Sequence, residues 1–201
     1  MSRTTGVAKP NPKAKIIELL NENRIMSVAT VRPDGWPQAT MVGYVHDDLT
    51  LYFAVARTSQ KLANIKREPR ISIALGHETP DRLRGLSIAA DVAEVTDVVE
   101  IDRLNALILE RYPAQRVFAP REASSAVLRA KPRLISIIDL PKSPGEPDLV
   151  EVGGDTTVHR VSNTATDRAG ADQNGNAAGG ARVIVHYVRP SAGKYRPGAP
   201  L

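Results

Sequence analysis

Leu51-Tyr52-Phe53-Ala54-Val55-Ala56-Arg57-Thr58-Ser59-Gln60-Lys61-Leu62-Ala63-Asn64-Ile65-Lys66-Arg67-Glu68-Pro69-Arg70 is the stretch whose reading decides the fold. In its first part Leu49, Leu51, Phe53 and Val55 fall on one face of a strand, and Thr50, Tyr52, Ala54 and Ala56 on the other. A short helix then runs from Ser59 to Arg67, and Glu68-Pro69 ends it before a strand over Arg70 to Leu75. Arg57, Thr58, Ser59 and Lys61 thus gather where a strand hands over to a helix. A helix start offers free amides and the positive end of its dipole, so cations and hydroxyls at that point make an anion site.

Upstream, two more strands are expected, Met26 to Val31 and Trp36 to His46, around the turn Arg32-Pro33-Asp34-Gly35. The second alternates Gln38, Thr40, Val42 and Tyr44 against Ala39, Met41, Gly43 and Val45, compact on both faces as where a sheet curls into a barrel. Short turns between these strands predict an antiparallel meander. Asn11-Pro12 marks a helix start whose stripe is Ile16, Ile17, Leu19 and Leu20, ending near Asn23. Downstream, residues 76–83 read as a loop and Arg84 to Val95 as a strand. Thr96-Asp97 caps a helix striped by Val98, Ile101, Leu104, Ile108 and Tyr112. Ala123 to Arg129 reads as a helical turn, and Leu134 to Leu140 as a central strand.

The domain plan that follows is a flexible arm over 1–11, one domain over 12–141, and a linker of low order over 142–181. A possible extra strand with a basic tail occupies 182–201. A domain of that size buries roughly two-thirds of its unfolded surface and needs no staples. The chain has no cysteine, which rules out disulfides, thiolate nucleophiles and cysteine-bound metals. With no signal-like start and no membrane-length apolar run, the expectation is a cytoplasmic protein without a membrane partner. The net charge of +5 suits a phosphorylated small molecule; with two Phe and one Trp as stacking platforms, nucleic acid is not the expected partner.

Two groups of residues resemble one family. Ser27-Val28-Ala29-Thr30-Val31-Arg32-x-Asp34-Gly35-x-Pro37 and Leu51-Tyr52-Phe53 followed by Ser59-Gln60-Lys61-x-x-Asn64-Ile65-x-x-x-Pro69-Arg70-Ile71-Ser72 are similar to the FMN-binding split barrels of the pyridoxamine 5′-phosphate oxidase-like superfamily. That resemblance, over about residues 12–140, implies a mainly β (α+β) fold, a six-stranded antiparallel split β-barrel with flanking helices. It also implies a homodimer holding FMN, or a deazaflavin, at the subunit interface. The phosphate would sit near Ser59, Gln60 and Lys61 with Arg57 adding charge, and the ring beside Gln38, Ala39, Thr40 and Val55. The implied activity is that of a flavin oxidoreductase of the general-stress branch. The flavin would accept hydride from a nicotinamide donor or a reduced small-molecule substrate, itself unidentified, and pass electrons onward. A deazaflavin-dependent reductase and a non-catalytic flavin- or haem-binding protein are the alternatives.

The family's vitamin-oxidising members carry basic residues along the second strand. Here Gln38, Thr40 and Tyr44 stand there, with no Arg or Lys between Arg32 and Arg57. No side chain stands out as an acid or base. The four histidines, His46, His77, His159 and His186, lack metal-site spacing. Asp81-Arg82-x-Arg84 and Arg67-Glu68-x-Arg70 read as surface ion-pair clusters, and Trp36 as a packing or dimer-contact residue.

Overall fold

A computed structural model describes residues 11–113, 124–141 and 148–161, all within one compact unit, Met1–Ala165. The elements are α1 (Pro12–Glu22), β1 (Ile25–Val31), β2 (Pro37–Gly43), β3 (Val45–Asp47), β4 (Thr50–Ala56), α2 (Gln60–Arg67), β5 (Arg70–Glu78), β6 (Arg82–Glu94), α3 (Val98–Arg111), β7 (Ser125–Pro141), β8 (Asp148–Val152) and β9 (Val158–Val161). All ladders are antiparallel. The strand order is β2-β1-β5-β6-β7-β4-β3, with β8 on β7 and β9 on β8. β2 and β3 end this path at opposite sides, yet Tyr44 alone separates them in the chain. The sheet must therefore curl until its ends meet. β2 comes beside β4 without forming a ladder, and the barrel is split there.

The three helices start where side-chain caps dictate. Asn11 Oδ1 accepts from the Lys13 amide at 3.0 Å, Ser59 Oγ from Leu62 at 3.3 Å, and Asp97 Oδ1 from Val99 at 3.0 Å. The barrel interior is filled by the inward faces of the strands, including Met26, Val28, Leu51, Phe53, Ile73 and Ile88. Ile16, Leu19 and Leu20 of α1 close the same core. A second cluster outside the barrel joins α3 to β3, β4 and β7 through Leu104, Ile108, Tyr112, Val45, Tyr52 and Val127. The α3 stripe expected from sequence holds at Leu104, Ile108 and Tyr112, whereas Val98 stands exposed.

Several expectations need correction. The strand expected over Trp36 to His46 breaks at Tyr44, whose buried hydroxyl lies 2.8 and 3.0 Å from the Leu20 and Asn23 carbonyls at the end of α1. The meander fails beyond β1–β2, because β4 pairs with β3 and β7 and not with β2. Residues 76–83 are mostly strand. Gly76 faces Gly85, and a Cβ on either would strike the other strand's backbone, so this glycine permits close pairing instead of breaking it. The helical turn expected at Ala123 to Arg129 is, from Ser125, the start of β7, with Ala126, Leu128 and Ala130 buried.

Within the stretch read as a linker over 142–181, residues 148–161 form the hairpin β8–β9. Val150 and Val152 lie in the barrel core and β8 takes the half of β7's edge that β4 leaves open. Proline-rich composition beside this segment hides two short strands whose register is set by β7. The arm over 1–10, the segment over 182–201 and the rest of the linker lie outside the described residues. Val150→Ala is expected to lower stability by roughly 1.5–3 kcal/mol, through lost burial and a cavity. Urea unfolding checks this, and an unchanged midpoint would remove the hairpin from the core.

Candidate functional site

α2 is amphipathic in a simple way: Leu62 and Ile65 are buried while Lys66 and Arg67 occupy the last turn, where cations suit the helix dipole. Its first turn is different. The amides of Gln60 and Lys61 have no acceptor within the helix, since the residues four before them are not helical. Lys61 is half-buried, and burial pushes its ammonium pKa below 10.5. Among the described residues it has no ion pair and no hydrogen-bond partner. A cation drawn from water without a counter-charge costs free energy, which an anion docking at the helix start would recover.

Behind this turn lies Asn64, wholly buried. Its Nδ2 donates to Thr30 Oγ1 on β1 at 2.9 Å and to Gln38 Oε1 on β2 at 3.1 Å. Its Oδ1 accepts from Gln60 Nε2 at 2.8 Å. One carboxamide thus ties β1, β2 and the first turn of α2 together at the split. Buried amides persist when paired in this way.

The structure divides the residues singled out from sequence. Ser59, Gln60 and Lys61 come together on the first turn of α2, and Gln38 joins them through Asn64. Thr40, on the same face of β2 as Gln38, has its Oγ1 buried without a hydrogen-bond partner. Ala39 projects from the opposite, exposed face. Val55 turns its side chain into the core, so only its backbone could reach a ligand, because Leu51, Phe53 and Val55 are the inward face of β4. Arg57 is not a free cation: its Nη1 pairs with Glu94 Oε1 on β6 at 2.8 Å. Sequence reasoning missed Asn64, Thr30 and Glu94 as members of this neighbourhood. For Asn64 a signal existed, a polar residue between the buried Leu62 and Ile65 and four positions after Gln60.

Beside Gln38 opens a depression of about 530 Å3 lined by Arg32, Asp34, Trp36, Pro37, Gln38 and Ala39. That lies within the range of small-molecule sites. Arg32 is held by Asp34 at 3.1 and 2.9 Å, and Trp36 is 72% exposed.

Away from the split, the expected ion-pair clusters hold only in part: among the described residues Asp81 accepts from the Thr79 hydroxyl and forms no ion pair with Arg82 or Arg84, and Arg67 donates to the Arg32 carbonyl. Arg70 grips Glu68 through two hydrogen bonds of 2.6 and 2.7 Å, pushing that carboxyl down to about 2. Arg84 binds Glu18 and Glu22 of α1 and sits near Asp139 of β7, a structural brace that leaves it no role at the split. His46, His77 and His159 lie on β3, β5 and β9; His186 lies outside the described residues. Among the described residues no three His, Asp or Glu side chains gather as a metal site, and no helix is long and apolar enough to cross a membrane.

A curled antiparallel sheet, split between β2 and β4, with a capped helix start and a lysine unpaired among the described residues at the split, defines a split-barrel protein. Residues 12–139 match the sequence profile of the pyridoxamine 5′-phosphate oxidase family, and the chain belongs to that family. It is 27% identical over 101 residues to general stress protein 26 of Bacillus subtilis (strain 168), covering 50% of this chain and 71% of that protein. Among solved structures, a heme binding protein from Mycobacterium smegmatis superposes with a TM-score of 0.62 at 16% identity, over 72% of this chain and 60% of that one. A FAD-binding protein from Mesorhizobium loti gives 0.53 at 17%, over 63% and 94%. These two structures share the fold.

The depressed pKa of Lys61 carries a stability consequence. A lysine that holds its proton less tightly in the fold than at its free value of 10.5 opposes folding while charged. The cost is present at neutral pH and fades as pH rises through the folded value toward 10.5. Lys61→Met is therefore expected to hold or raise the melting temperature of the ligand-free protein at neutral pH. A fall of more than about 2 °C would mean that the ammonium has a stabilising partner.

Proposed function

We propose that this protein binds FMN at the split and acts as a flavin oxidoreductase on a small substrate, as a cytoplasmic homodimer. The observation that carries this reading is Lys61: a half-buried ammonium, without a carboxylate partner among the described residues, at a capped helix start whose first amides lack intrahelical acceptors. A phosphate supplies what that arrangement lacks. The unpaired Thr40 hydroxyl adds a second polar group awaiting a partner. Residues 12–139, the span that matches the family, contain both.

In this reading Lys61 and the first amides of α2 hold the phosphate, while Ser59 keeps the helix start in shape through its bond to Leu62. Glu94 neutralises Arg57 and holds it away from the phosphate. The edge of β2 that faces β4 without a ladder offers backbone donors and acceptors to a flat ring. When bound, the flavin supplies reversible electron and hydride transfer, and the protein's part is binding, orientation and exclusion of water. A deazaflavin would use the same groups. Haem is less well served, because His46, His77 and His159 lie on strands other than β2 and β4 and outside α2, and haem iron takes an axial protein ligand, commonly histidine.

The dimer is supported by the outward face of β1 and β2. Register places Ile25 opposite Gly43, Ser27 opposite Met41 and Val31 opposite Pro37, so these apolar side chains share one face. Ile25, Val31 and Met41 are 52%, 41% and 73% exposed. A second copy covering this face would bury them beside the depression that Trp36 and Ala39 line.

Two measurements test this reading. Titration of FMN into purified protein should give retained flavin absorbance through gel filtration, with Lys61→Ala weakening binding by roughly 1.5–3 kcal/mol, as for a charged hydrogen bond. Equal affinity in the variant would move the phosphate elsewhere. Met41→Asp is expected to shift sedimentation from dimer to monomer; an unchanged dimer would place the interface on another face.

A further inference from the structure

His46, on β3 and two residues past the Tyr44 kink, is half-buried with an oxygen in front of each ring nitrogen. Nδ1 lies 2.9 Å from the Asp48 carbonyl, and Nε2 lies 2.9 Å from Asn21 Oδ1 near the end of α1. A backbone carbonyl only accepts, so the bond to Asp48 keeps a proton on Nδ1. The second nitrogen is then the variable one. In the neutral ring Nε2 accepts and needs the NH2 end of Asn21; in the imidazolium it donates and needs the oxygen.

Asn21 cannot serve both states in one orientation, because Arg111 Nη1 of α3 points at the same Oδ1 from 3.4 Å. A guanidinium only donates. With His46 charged, the Asn21 oxygen accepts from His46 and Arg111 together, as the structure shows it. With His46 neutral, the carboxamide turns over and its NH2 group no longer takes a bond from Arg111. Arg111 also donates to the Leu20 and Asn23 carbonyls, which the Tyr44 hydroxyl shares. The state of one imidazole is therefore passed to the point that joins α1, α3 and the β2–β3 kink.

We infer that His46, Asn21 and Arg111 form a pH-responsive lock on this kink, in which one proton on His46 turns the Asn21 carboxamide and makes or releases the third bond of Arg111 to α1. The charges around the ring are those of α3, the turn after β3 and α1. Arg111 opposes a second positive charge. Asp47 and Asp48 favour one, but Asp47 is paired with Arg103 at 2.6 Å and Asp48 with Lys13 at 2.7 Å. On α1, Glu18 and Glu22 are held by Arg84. Burial is the largest effect and pushes the imidazole pKa below 6.5; Arg111 adds to this, while the bond to the Asp48 carbonyl and the two aspartates oppose it. The neutral ring is thus favoured by the fold. Its contribution to stability is complete above 6.5 and is lost as pH falls from 6.5 through the folded value.

The test uses the ligand-free full chain, so it does not depend on the flavin reading. NMR follows the His46 ring, the Asn21 NH2 group and the Arg111 guanidinium from about pH 8 to 5, the range in which histidine titrates. His46 is expected to titrate below 6.5, with the Asn21 and Arg111 signals moving at the same midpoint. Melting temperature should fall more steeply with acid in the wild type than in His46→Gln, which has no proton to gain. Asn21→Asp reverses the sign: a carboxylate between imidazole and guanidinium raises the His46 pKa above 6.5, so acid adds stability there. Asn21 is exposed, which keeps this second test open if His46→Gln fails to fold. Asn21 or Arg111 signals that ignore the His46 titration overturn the lock, as does a wild-type midpoint at or above 6.5. Equal acid losses in the wild type and His46→Gln, or an unchanged sign in Asn21→Asp, overturn it too.

Discussion

Where a curled sheet meets itself without pairing, two strand edges expose amides and carbonyls that need partners. The rest of this fold depends on how that split between β2 and β4 is managed. Tyr44 makes the split by breaking what would otherwise be one long strand. Its ring is buried, its hydroxyl reaches the Leu20 and Asn23 carbonyls, and Arg111 stacks over it at 5.5 Å while binding the same two carbonyls. The end of α1, the kink between β2 and β3, and the end of α3 are fastened at this one point. With that kink fixed, β2 and β3 part to opposite ends of the sheet, and α2 enters the gap that remains.

In the proposed reading, the same split explains why a binding site would fall here and not elsewhere on the barrel. Along β5, β6 and β7 every residue of the sheet's centre is committed to ladders and core packing. At the split, polar satisfaction comes from side chains: Asn64 from α2, Thr30 from β1 and Gln38 from β2. Side chains can exchange a partner for a ligand at lower cost than a backbone ladder can. The ion pairs elsewhere, Arg84 with Glu18 and Glu22 or Arg133 with Asp91, hold elements together. Lys61 is different because it is half-buried and nothing described balances it.

What could be read from the sequence was local. Asn11, Ser59 and Asp97 announce their helices because a cap bonds an amide two or three residues away, and that geometry is written within a few positions. The strand alternation of β1, β4 and β6 is visible for the same reason. Pairing order was not visible, since Ala126 lies opposite Val55 and Val150 opposite Ile135 only because of where the whole sheet curls. The hairpin at 148–161 escaped notice in a stretch whose glycines and prolines look like linker, and its two buried valines gain their meaning from β7. At the site, Ser59 and Lys61 fell where a helix start must put them. The neutralising partner of Arg57, Glu94, is thirty-seven positions away, and no local pattern joins them.

In the proposed reading, the pairing of Arg57 with Glu94 changes how ligand selection would work. Two cations at the helix start would make charge the main source of affinity, and any small phosphate would compete. With Arg57 tied to Glu94, the net charge from these two side chains is zero, and Lys61 with the helix amides faces the anion alone. A single ammonium and a helix start offset only part of a phosphate dianion and cannot distinguish one phosphate from another. In that reading, discrimination would come from the uncharged groups set behind the charge, among them the Thr40 hydroxyl and the unpaired edge of β2. These groups are uncharged, directional and partly buried, and a ligand that fails to match them leaves polar atoms without partners. In the proposed reading, the second strand, which has no Arg or Lys, would supply shape and hydrogen bonding while α2 would supply the charge.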